Sequence, residues 1–180
     1  MAQEKRKKKF FDVEIPIIGK QTQMQAYELK DLNGRYMQYD LTRLLRGKSM
    51  IITLKVNANN EQASCTPTKL VLMPYFLRRM IRKGTNYIDD SFTAECKDAH
   101  LKIKPILVTR RKISRAVRKA LRNMAKEELI NYVKEKNSAQ LFDEILKGQI
   151  QKPLGLKLKK IYPLSLCEIR VLESKEKTTK

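Results

Sequence analysis

Eight cationic side chains and no carboxylate occur between Thr109 and Lys126. Guanidinium and ammonium groups bind phosphate oxygens, so this cluster has the chemistry of a polyanion-binding surface. Like charges at i,i+4 spacing on a helix repel by a few tenths of a kcal/mol each, and a bound nucleic acid relieves that repulsion. We interpret the segment as a nucleic-acid-binding helix; the alternative is a solvated basic face without a partner. Its cations are Arg110, Arg111, Lys112, Arg115, Arg118, Lys119, Arg122 and Lys126.

The charge of the whole chain agrees with this interpretation. The 180 residues contain 39 Lys and Arg against 19 Asp and Glu, a formal net charge of +20 with an isoelectric point near 10.0. Residues 1–9 contribute +4 and residues 173–180 contribute +1, which leaves +15 on residues 10–172. The folded body of the protein is therefore itself basic, as expected for a nucleic-acid-binding domain.

A helix is predicted to carry the cationic cluster from about Ser114 to Lys136. The apolar residues recur at helical spacing and form a stripe that can face a core. They are Ile113, Val117, Ala120, Leu121 and Met124. Asn137 and Gln140 then form a capping-box pattern, which predicts a second helix that ends at Gly148.

The remaining segments mostly alternate between apolar and polar residues, which predicts strands. Residues 10–16 are expected to form an edge strand that stops at a proline, and residues 57–65 a polar loop. An Asn33-Gly34 turn and a single turn capped by Asp40 are also expected. The other predicted strands cover residues 23–29, 35–39, 50–56, 66–73, 87–97, 101–108 and 164–172.

These elements predict an α+β fold, a mixed β-sheet or partial barrel with an inserted short helix and a C-terminal helical region. Residues 10–172 are expected to be a single RNA-binding domain. Residues 1–9 are expected to be a disordered basic arm, and residues 173–180 a disordered tail.

Two further basic segments are candidate RNA contacts. A short helix over 75–83 has apolar residues on one face and cations on the other, and RNA contact and plain solvation are equally open for it. The N-terminal arm is too densely charged to pack on itself and is expected to follow RNA. The cations of these two segments are Arg78, Arg79, Arg82, Lys83, Lys5, Arg6, Lys7, Lys8 and Lys9.

Several classes of protein and site are excluded by composition. No apolar run approaches the ~20 residues of a membrane-spanning helix, and the N-terminus lacks the apolar segment of a signal peptide. The three cysteines are far apart and the chain has one histidine, so neither a zinc site nor any cofactor is expected. We expect reduced thiols in a cytoplasmic protein that does not bind membranes.

An enzyme is the rival class, and its most plausible form is a metal-dependent nuclease. Its carboxylates would be Asp89, Asp90, Glu95 and Asp98. These residues are explained more simply as turn and strand residues, and no phosphate-binding loop or nucleophile elbow is present. We predict no catalytic activity.

The aromatic residues suggest base stacking only weakly. Sheet-based RNA-binding proteins stack bases on aromatic side chains, but the chain lacks a signature of that kind. We expect core or half-buried positions for them instead. The candidates are Tyr36, Tyr39, Tyr75 and Phe76, with Tyr162 expected to be a packing anchor.

An ordered set of short motifs, rather than any single one, resembles a known family. The set spans about Lys8 to Leu172, and the segment around Tyr162-Pro163 is its closest match. In order, the motifs are Lys8-Lys9-Phe10-Phe11-Asp12-Val13-Glu14-Ile15-Pro16, Ile18-Gly19-Lys20, Leu32-Asn33-Gly34-Arg35, Asp40-Leu41, Val108-Thr109-Arg110-Arg111, Ile161-Tyr162-Pro163-Leu164 and Ile169-Arg170-Val171. The chain thus resembles the small-subunit ribosomal protein family of archaea and eukaryotes called S-one-e, or S-three-a-e.

The resemblance implies a structural, non-catalytic protein on the platform of the small ribosomal subunit. It implies binding to ribosomal RNA near the messenger-RNA exit, contacts with neighbouring ribosomal proteins and, at the exit, with messenger RNA. Phe10-Phe11 departs from the family's Trp-Tyr, and the short C-terminal tail is typical of a compact, archaeal-type member. The alternative, a free RNA-binding chaperone or translation regulator, shares every basic feature.

Overall fold

The computed structural model describes residues 7–59 and 62–176, with only the backbone of Glu176. Within these residues the strands are β1 Lys9–Ile15, β2 Lys20–Ala26, β3 Tyr36–Asp40, β4 Met50–Ala58, β5 Ala63–Leu72, β6 Tyr87–Asp89, β7 Phe92–Glu95, β8 Ala99–Thr109 and β9 Leu164–Glu176. The helices are α1 Pro74–Met80, α2 Arg115–Lys134, α3 Ser138–Lys147 and α4 Gln151–Lys159, with a 3₁₀ helix at Leu29–Leu32.

The chain divides into two compact units. The first comprises Met1–Tyr39 and Thr53–Thr68, and the second comprises Asp40–Ile52 and Lys69–Lys180. Strands β4 and β5 each contribute residues to both units. The four α-helices, with the cationic cluster, belong to the second unit.

The first unit is built around strand β1. β1 pairs antiparallel with β2 along its whole length, from Lys9 opposite Ala26 to Ile15 opposite Lys20. Its other side pairs parallel with β5, where Val13 lies opposite Ala63. β1 is therefore internal, and the prediction of an edge strand was wrong. Because Pro16 follows Ile15, the last residue of β1, its missing N–H does not interrupt the hydrogen bonds between the strands.

The second unit is built around strand β8. β8 pairs antiparallel with β9 along its whole length and with β6 and β7 on its other side. The register with β9 shifts between Lys104 and Pro105, because proline has no N–H to donate to the ladder. From Pro105 to Thr109 every residue is buried, which is typical of a strand covered on both faces.

The helices of the second unit bury one stripe each. α2 packs against β6, β7 and α4, and α4 packs against β9. The fully buried side chains include Leu121 of α2, Phe142 of α3, Leu158 of α4 and Leu101 of β8. Each buried side chain of this size contributes roughly 1.5–3 kcal/mol of apolar transfer free energy, so the helices are held mainly by this core.

The predicted α+β fold is confirmed, with a mixed sheet, an inserted short helix and a C-terminal helical region. The strand order β2-β1-β5-β9-β8-β6 begins and ends at strands that do not pair with each other. Among the described residues this path of strands is therefore not closed, and β3, β4 and β7 pair outside it.

Several predicted boundaries move. The single strand expected over 87–97 is two strands, β6 and β7, separated at Asp90-Ser91, and both pair with β8. β5 begins at Ala63, so the loop predicted over 57–65 is shorter, and its residues 60–61 lie outside the described part of the chain. β9 continues through Glu176, so residues 173–176 belong to a strand rather than to a tail.

Helix α4 was not predicted. Pro153 occupies the first turn of the helix, where its N–H would have no partner, so it does not interrupt the helix. Gly155 lies within the helix without a positive φ, where a Cβ would contact the Cβ of Cys167 at 3.7 Å. Packing against β9 therefore decides this helix more than local propensity does.

Candidate nucleic-acid interface

A buried hydrogen-bond cluster fixes the point where β8 leads into the cationic segment. The Thr109 side chain is fully buried. Its Oγ1 accepts the Asn86 N–H at 3.0 Å and donates to the Arg111 carbonyl oxygen at 2.7 Å. The Asn86 Oδ1 accepts the N–H of Ile113 at 2.9 Å. These bonds hold the backbone of residues 110–113, so the exposed side chains of Arg110 and Arg111 project from a fixed loop.

Helix α2 begins immediately after this loop. Ser114 is its N-cap, and the Ser114 hydroxyl oxygen accepts the N–H of Val117 at 3.4 Å. The predicted helix over Ser114–Lys136 is confirmed to within two residues at its C-terminus. Its fully buried stripe is Leu121, Ala125, Leu129 and Val133.

The stripe differs in part from the predicted one. Leu121 is buried as expected, but Ala120 is exposed, and Val117 and Met124 are half-buried. The apolar face therefore lies towards the C-terminal half of α2, where Leu129 and Val133 continue it. The N-terminal half is correspondingly free to present charge to solvent.

We call the cations of residues 110–126 the basic surface. Arg115, Arg118, Lys119 and Arg122 line one open depression together with Asn123. Lys126 lies beyond it, with its Nζ 5.9 Å from the centre of the Phe92 ring. Seven of the eight cations are exposed, and Arg118 is half-buried.

None of the eight cations of the basic surface forms an ion pair within residues 7–59 and 62–176. The Arg118 Nε is buried and has no hydrogen-bond partner among the described residues. The first turn of α2 contains no acidic residue, so its exposed N–H groups and helix dipole add to the positive potential. The arrangement suits an anion that spans several side chains.

The second predicted basic helix is shorter than expected. α1 ends at Met80, because Ile81 takes an extended conformation and Gly84 a positive φ of 84°. Arg78 and Arg79 are exposed on the helix, and the Arg79 guanidinium lies 5.4 Å from the centre of the Phe76 ring. Arg82 and Lys83 are exposed in the following turn, outside the helix. None of these four cations lines the depression on α2.

The basic arm is described only in part. Lys5 and Arg6 lie outside the described residues. Lys7 and Lys8 are exposed, and the Lys8 Nζ lies 5.7 Å from the centre of the Tyr27 ring. Lys9 is the first residue of β1. The described part of the arm belongs to the first unit, whereas the basic surface belongs to the second.

The four carboxylates of the nuclease alternative have separate partners. Asp89 lies 3.9 Å from Arg170, and Glu95 lies 3.7 Å from His100. Asp90 accepts the N–H of Ser91. The Asp98 carboxylate accepts the N–H of Ser138 at 2.9 Å and its hydroxyl at 2.7 Å. Among the described residues, no three His, Cys, Asp or Glu side chains are grouped to hold a metal ion.

The pKa of Asp98 reflects two opposed effects. Burial of the Asp98 carboxyl raises its pKa, but the hydrogen bonds from the Ser138 hydroxyl and N–H outweigh burial, so the pKa lies below its usual value. The carboxylate therefore stays charged at the first residue of α3. From the sequence Asp98 was interpreted as a turn or strand residue, and its partner, forty residues away, has no local signal.

The aromatic candidates divide into two groups. Phe76 is buried, and Tyr39 and Tyr162 are half-buried, as predicted. Tyr36 and Tyr75 are exposed by 62% and 54%, so for these two the prediction of core or half-buried positions was wrong. Both rings are accessible on the surface, although neither lines the depression on α2.

The cysteines are free thiols, as predicted. Cys65 and Cys96 are buried. Burial also raises the pKa of Cys167 to about 12, helped by the charge of Glu168, so this thiol is protonated at neutral pH. All three therefore behave as structural side chains.

Two features of this region were not predicted from the sequence. One is the Asn86–Thr109 cluster, whose partners are separated by 23 residues. The other is a cleft between α4 and the start of β9, which brings Arg110 together with Lys152 and Lys159. Neither follows a local motif, because each depends on strands and helices that meet only in the folded chain.

Comparison with known proteins gives one family. A model of the Ribosomal S3Ae family matches residues 2–177. A small ribosomal subunit protein eS1 of Methanothermobacter thermautotrophicus is 36% identical over 102 residues, which cover 54% of this chain and 52% of that protein.

Two other archaeal relatives carry the same name and match more of the chain. The eS1 protein of Nanoarchaeum equitans is 25% identical over 96% of this chain and 92% of its own length. That of Haloquadratum walsbyi is 29% identical over 82% of this chain and 72% of its own length. The family and these relatives are ribosomal proteins, which confirms the prediction that the chain is not an enzyme. Among the described residues, no helix has the length and apolar character needed to cross a membrane.

Proposed function

The chain belongs to the Ribosomal S3Ae family, and from that membership we propose that it is a structural protein of the small ribosomal subunit that binds ribosomal RNA through its basic surface. The observation that carries the RNA-binding assignment is the set of eight cations between Arg110 and Lys126 without an ion-pair partner in the described residues. A folded surface that leaves so much like charge unneutralised is best explained by an external polyanion.

Binding is expected to depend mainly on phosphate contacts. Each Lys or Arg that neutralises a phosphate releases condensed counterions, so the association constant falls steeply with salt concentration. The arginines are the strongest candidates, because a guanidinium group can donate two parallel hydrogen bonds to one phosphate. The Asn86–Thr109 cluster contributes by holding the loop of Arg110 and Arg111 in place before RNA arrives.

The α1 cations and the basic arm are secondary candidates. Arg78, Arg79, Arg82 and Lys83 form a separate exposed group, and the basic arm runs from Lys5 to Lys9, the first residue of β1. We assign both groups to RNA contacts that add to the main surface. The charge of both groups is compatible with RNA contact. The support is stronger for the basic surface, because four of its cations line one depression on α2.

The location within the subunit is a finer proposal. The family resemblance supports a place on the platform near the messenger-RNA exit, with neighbouring ribosomal proteins as partners and with messenger RNA passing close by. Under this proposal the protein acts in translation on cytoplasmic ribosomes. It acts by position and charge, without a cofactor.

The first experiment is fractionation of native ribosomes on sucrose gradients at low and high salt, with detection of this chain. Stoichiometric co-migration with the small subunit at moderate salt is the expected result. If the chain stays at the top of the gradient, the proposal is wrong, and a free RNA-binding chaperone or translation regulator becomes the better description.

The second experiment tests the basic surface itself. The triple variant Arg115→Glu, Arg118→Glu, Arg122→Glu is expected to lose incorporation into the subunit while its thermal unfolding stays cooperative. The salt dependence of its RNA binding should become shallower by about two to three units of slope. The matched control, Lys20→Glu, Lys30→Glu, Lys134→Glu, changes the same charge at exposed lysines elsewhere. Normal incorporation of the first variant would exclude the basic surface as the main RNA contact.

A further inference from the structure

The cleft between α4 and the start of β9 has two chemically different parts. Its volume is about 330 Å³, at the lower end of the ~300–1,000 Å³ range of small-molecule pockets. Arg110, Lys152 and Lys159 are exposed cations of its lining. None of the three forms an ion pair among the described residues.

The buried part of the cleft contains an unused hydrogen-bond acceptor. Gln151 is only 6% exposed. Its Nε2 donates to the Ile145 carbonyl oxygen at 2.9 Å and to Glu168 Oε2 at 3.4 Å, which fixes the orientation of the amide. Its Oε1 is buried and has no partner among the described residues. An orphaned buried acceptor is costly, so a donor from a ligand would be favoured there.

The two parts require a ligand with two different ends. A phosphate alone does not suit the buried part, because Gln151 Oε1 only accepts hydrogen bonds and the Glu168 carboxylate beside it is already paired with Lys48 at 2.5 Å, so neither group offers a donor to a phosphate. The exposed cations attract an anion, whereas the unpartnered Gln151 Oε1 favours an N–H donor in the buried part. Leu156, which is 69% exposed, provides an apolar wall. A nucleotide has this combination, with a phosphate at one end and base N–H groups at the other.

We propose that this cleft holds one unpaired nucleotide of an RNA strand, with its base against Gln151 and its phosphate at Arg110, Lys152 and Lys159. The proposal rests on the proposed function as an RNA-binding protein and adds a second kind of contact to it. Arg110 belongs both to the basic surface and to the cleft, so a strand bound on that surface can reach the cleft. A base paired within a duplex cannot enter, so the cleft selects unpaired RNA.

The test compares binding of the full chain to an unstructured twelve-nucleotide RNA and to a duplex with the same number of phosphates. We expect the wild-type protein to bind the single strand about tenfold more tightly, the size expected for one hydrogen bond to a base. Gln151→Leu removes the acceptor, and Gly155→Leu fills the cleft, since a Cβ at Gly155 points towards Cys167. Each should reduce the preference for the single strand to near unity.

Three controls keep the outcome interpretable. Gly155→Ala adds one methyl group at ordinary contact distance and should keep the preference. Lys159→Ala should weaken single-strand binding more than Lys160→Ala, because the neighbouring lysine is outside the lining. Melting temperatures show whether Gln151→Leu still folds, and Gly155→Leu provides an independent variant if it does not.

The outcomes separate this proposal from the proposed function. Equal binding of single strand and duplex by the wild type, or an unchanged preference in a folded Gly155→Leu variant, overturns the cleft and leaves the basic surface untouched. If Gly155→Leu blocks a ribosomal protein partner while RNA binding stays the same, the cleft is a protein site and the proposal is overturned. Loss of the preference in both cleft variants, with duplex binding retained, supports it.

Discussion

The two halves of helix α2 differ sharply in how their charges are arranged. In the first half, Arg115, Arg118, Lys119 and Arg122 line an open depression and no acidic residue lies between them. The second half brings Glu127 and Glu128, and Glu128 binds Lys157 of α4 at 2.5 Å. Two further ion pairs follow α2 in the chain. Lys136 pairs with Glu144 of α3, and within α3 Lys147 pairs with Asp143 at 2.5 Å.

This difference separates two uses of the same residue types. In the segments after α2, Lys136, Lys147 and Lys157 are neutralised by carboxylates within the fold, and the exposed pair of Lys147 with Asp143 contributes little to stability. Where the helix faces outwards, the cations are left for a partner. The net charge of the chain does not distinguish cations that are paired within the fold from cations that are left for a partner. The positions of the carboxylates distinguish them.

The largest expected effect comes from making the first half resemble the second. Ala116→Glu and Asn123→Glu place carboxylates three or four residues from Lys119, and both original residues are exposed. Each new ion pair should stabilise the isolated helix by about 0.2–0.5 kcal/mol. RNA binding should weaken at least tenfold, because each added negative charge near a phosphate costs about 1 kcal/mol.

Filter binding and thermal unfolding of the same double variant measure the two opposite effects. A matched control is Ala139→Glu with Gln149→Glu, two exposed positions in the paired part of the chain. If RNA affinity falls equally in the control, the effect is one of net charge, and the distinction between the halves is not supported.

The second prediction concerns the buried cluster that holds the cationic loop. Thr109→Val keeps the shape of the side chain but leaves the Asn86 N–H and the Arg111 carbonyl without this partner. We expect a loss of about 1–3 kcal/mol in the free energy of unfolding. Thr109→Ser restores the hydroxyl and should recover most of it. Denaturant unfolding measures both, and equal stability of the Val and Ser variants would contradict the assignment.

The third prediction concerns the paired region. The Glu144 carboxylate accepts hydrogen bonds from Lys136 and, at 2.9 Å, from the Tyr132 hydroxyl, and all three side chains are half-buried. Glu144→Gln should cost about 1.5 kcal/mol of stability, within the range for hydrogen bonds to charged groups, and leave RNA affinity unchanged. Asp143→Asn, in the exposed pair with Lys147, should cost less than about 0.5 kcal/mol.

The pair of Lys136 and Glu144 also makes the stability of the fold depend on pH in the alkaline range. The hydrogen bond to Glu144 raises the pKa of Lys136 above its usual value, helped by the Tyr132 hydroxyl. A raised pKa in the folded state means that the stabilisation is complete below the unfolded-state pKa of about 10.4 and is lost as pH rises through the folded-state value. Denaturant unfolding between neutral and strongly alkaline pH should show this loss in the wild type and a smaller one in Glu144→Gln.

The last prediction concerns Asp98, which accepts hydrogen bonds from Ser138 at the start of α3. Its pKa is lowered because the hydrogen bonds from Ser138 outweigh burial, so its contribution is present above the unfolded-state pKa of about 3.9 and is lost as pH falls through the lower folded-state value. Asp98→Asn should reduce stability by roughly 0.5–1 kcal/mol at neutral pH, as for loss of a helix N-terminal cap. Its stability should then depend less on pH in acid. Identical acid unfolding of wild type and variant would contradict this role.

Much of the fold was predictable from local signals. The capping box of Asn137 and Gln140 and the positive φ of Gly148 bound α3 as expected, and Ser114 caps α2. The alternation in residues 164–172 predicted β9. The family resemblance is confirmed by the match over residues 2–177. These signals work because a helix end or an alternating strand is encoded within a few neighbouring residues.

Other elements escaped prediction because their neighbours in space are distant in sequence. α4 forms across Pro153 and Gly155 because β9 packs against it. β1 is internal rather than an edge strand because β5, fifty residues later, pairs with it. The single strand expected over 87–97 divides because two separate segments of β8 pair with its halves. In each case tertiary packing overrides the local preference.

The sequence by itself determined the α+β class, the helical form of the main cationic segment and its excess of positive charge, because these depend on composition and on spacing of a few residues. Only the tertiary structure decided which lysines are neutralised, how Asn86 and Thr109 fix the cationic loop, and that Arg110 shares a cleft with Gln151. The Asn86–Thr109 bonds, the Glu128–Lys157 pair and the cleft join residues more than twenty positions apart, and their distances exist only once the chain has folded.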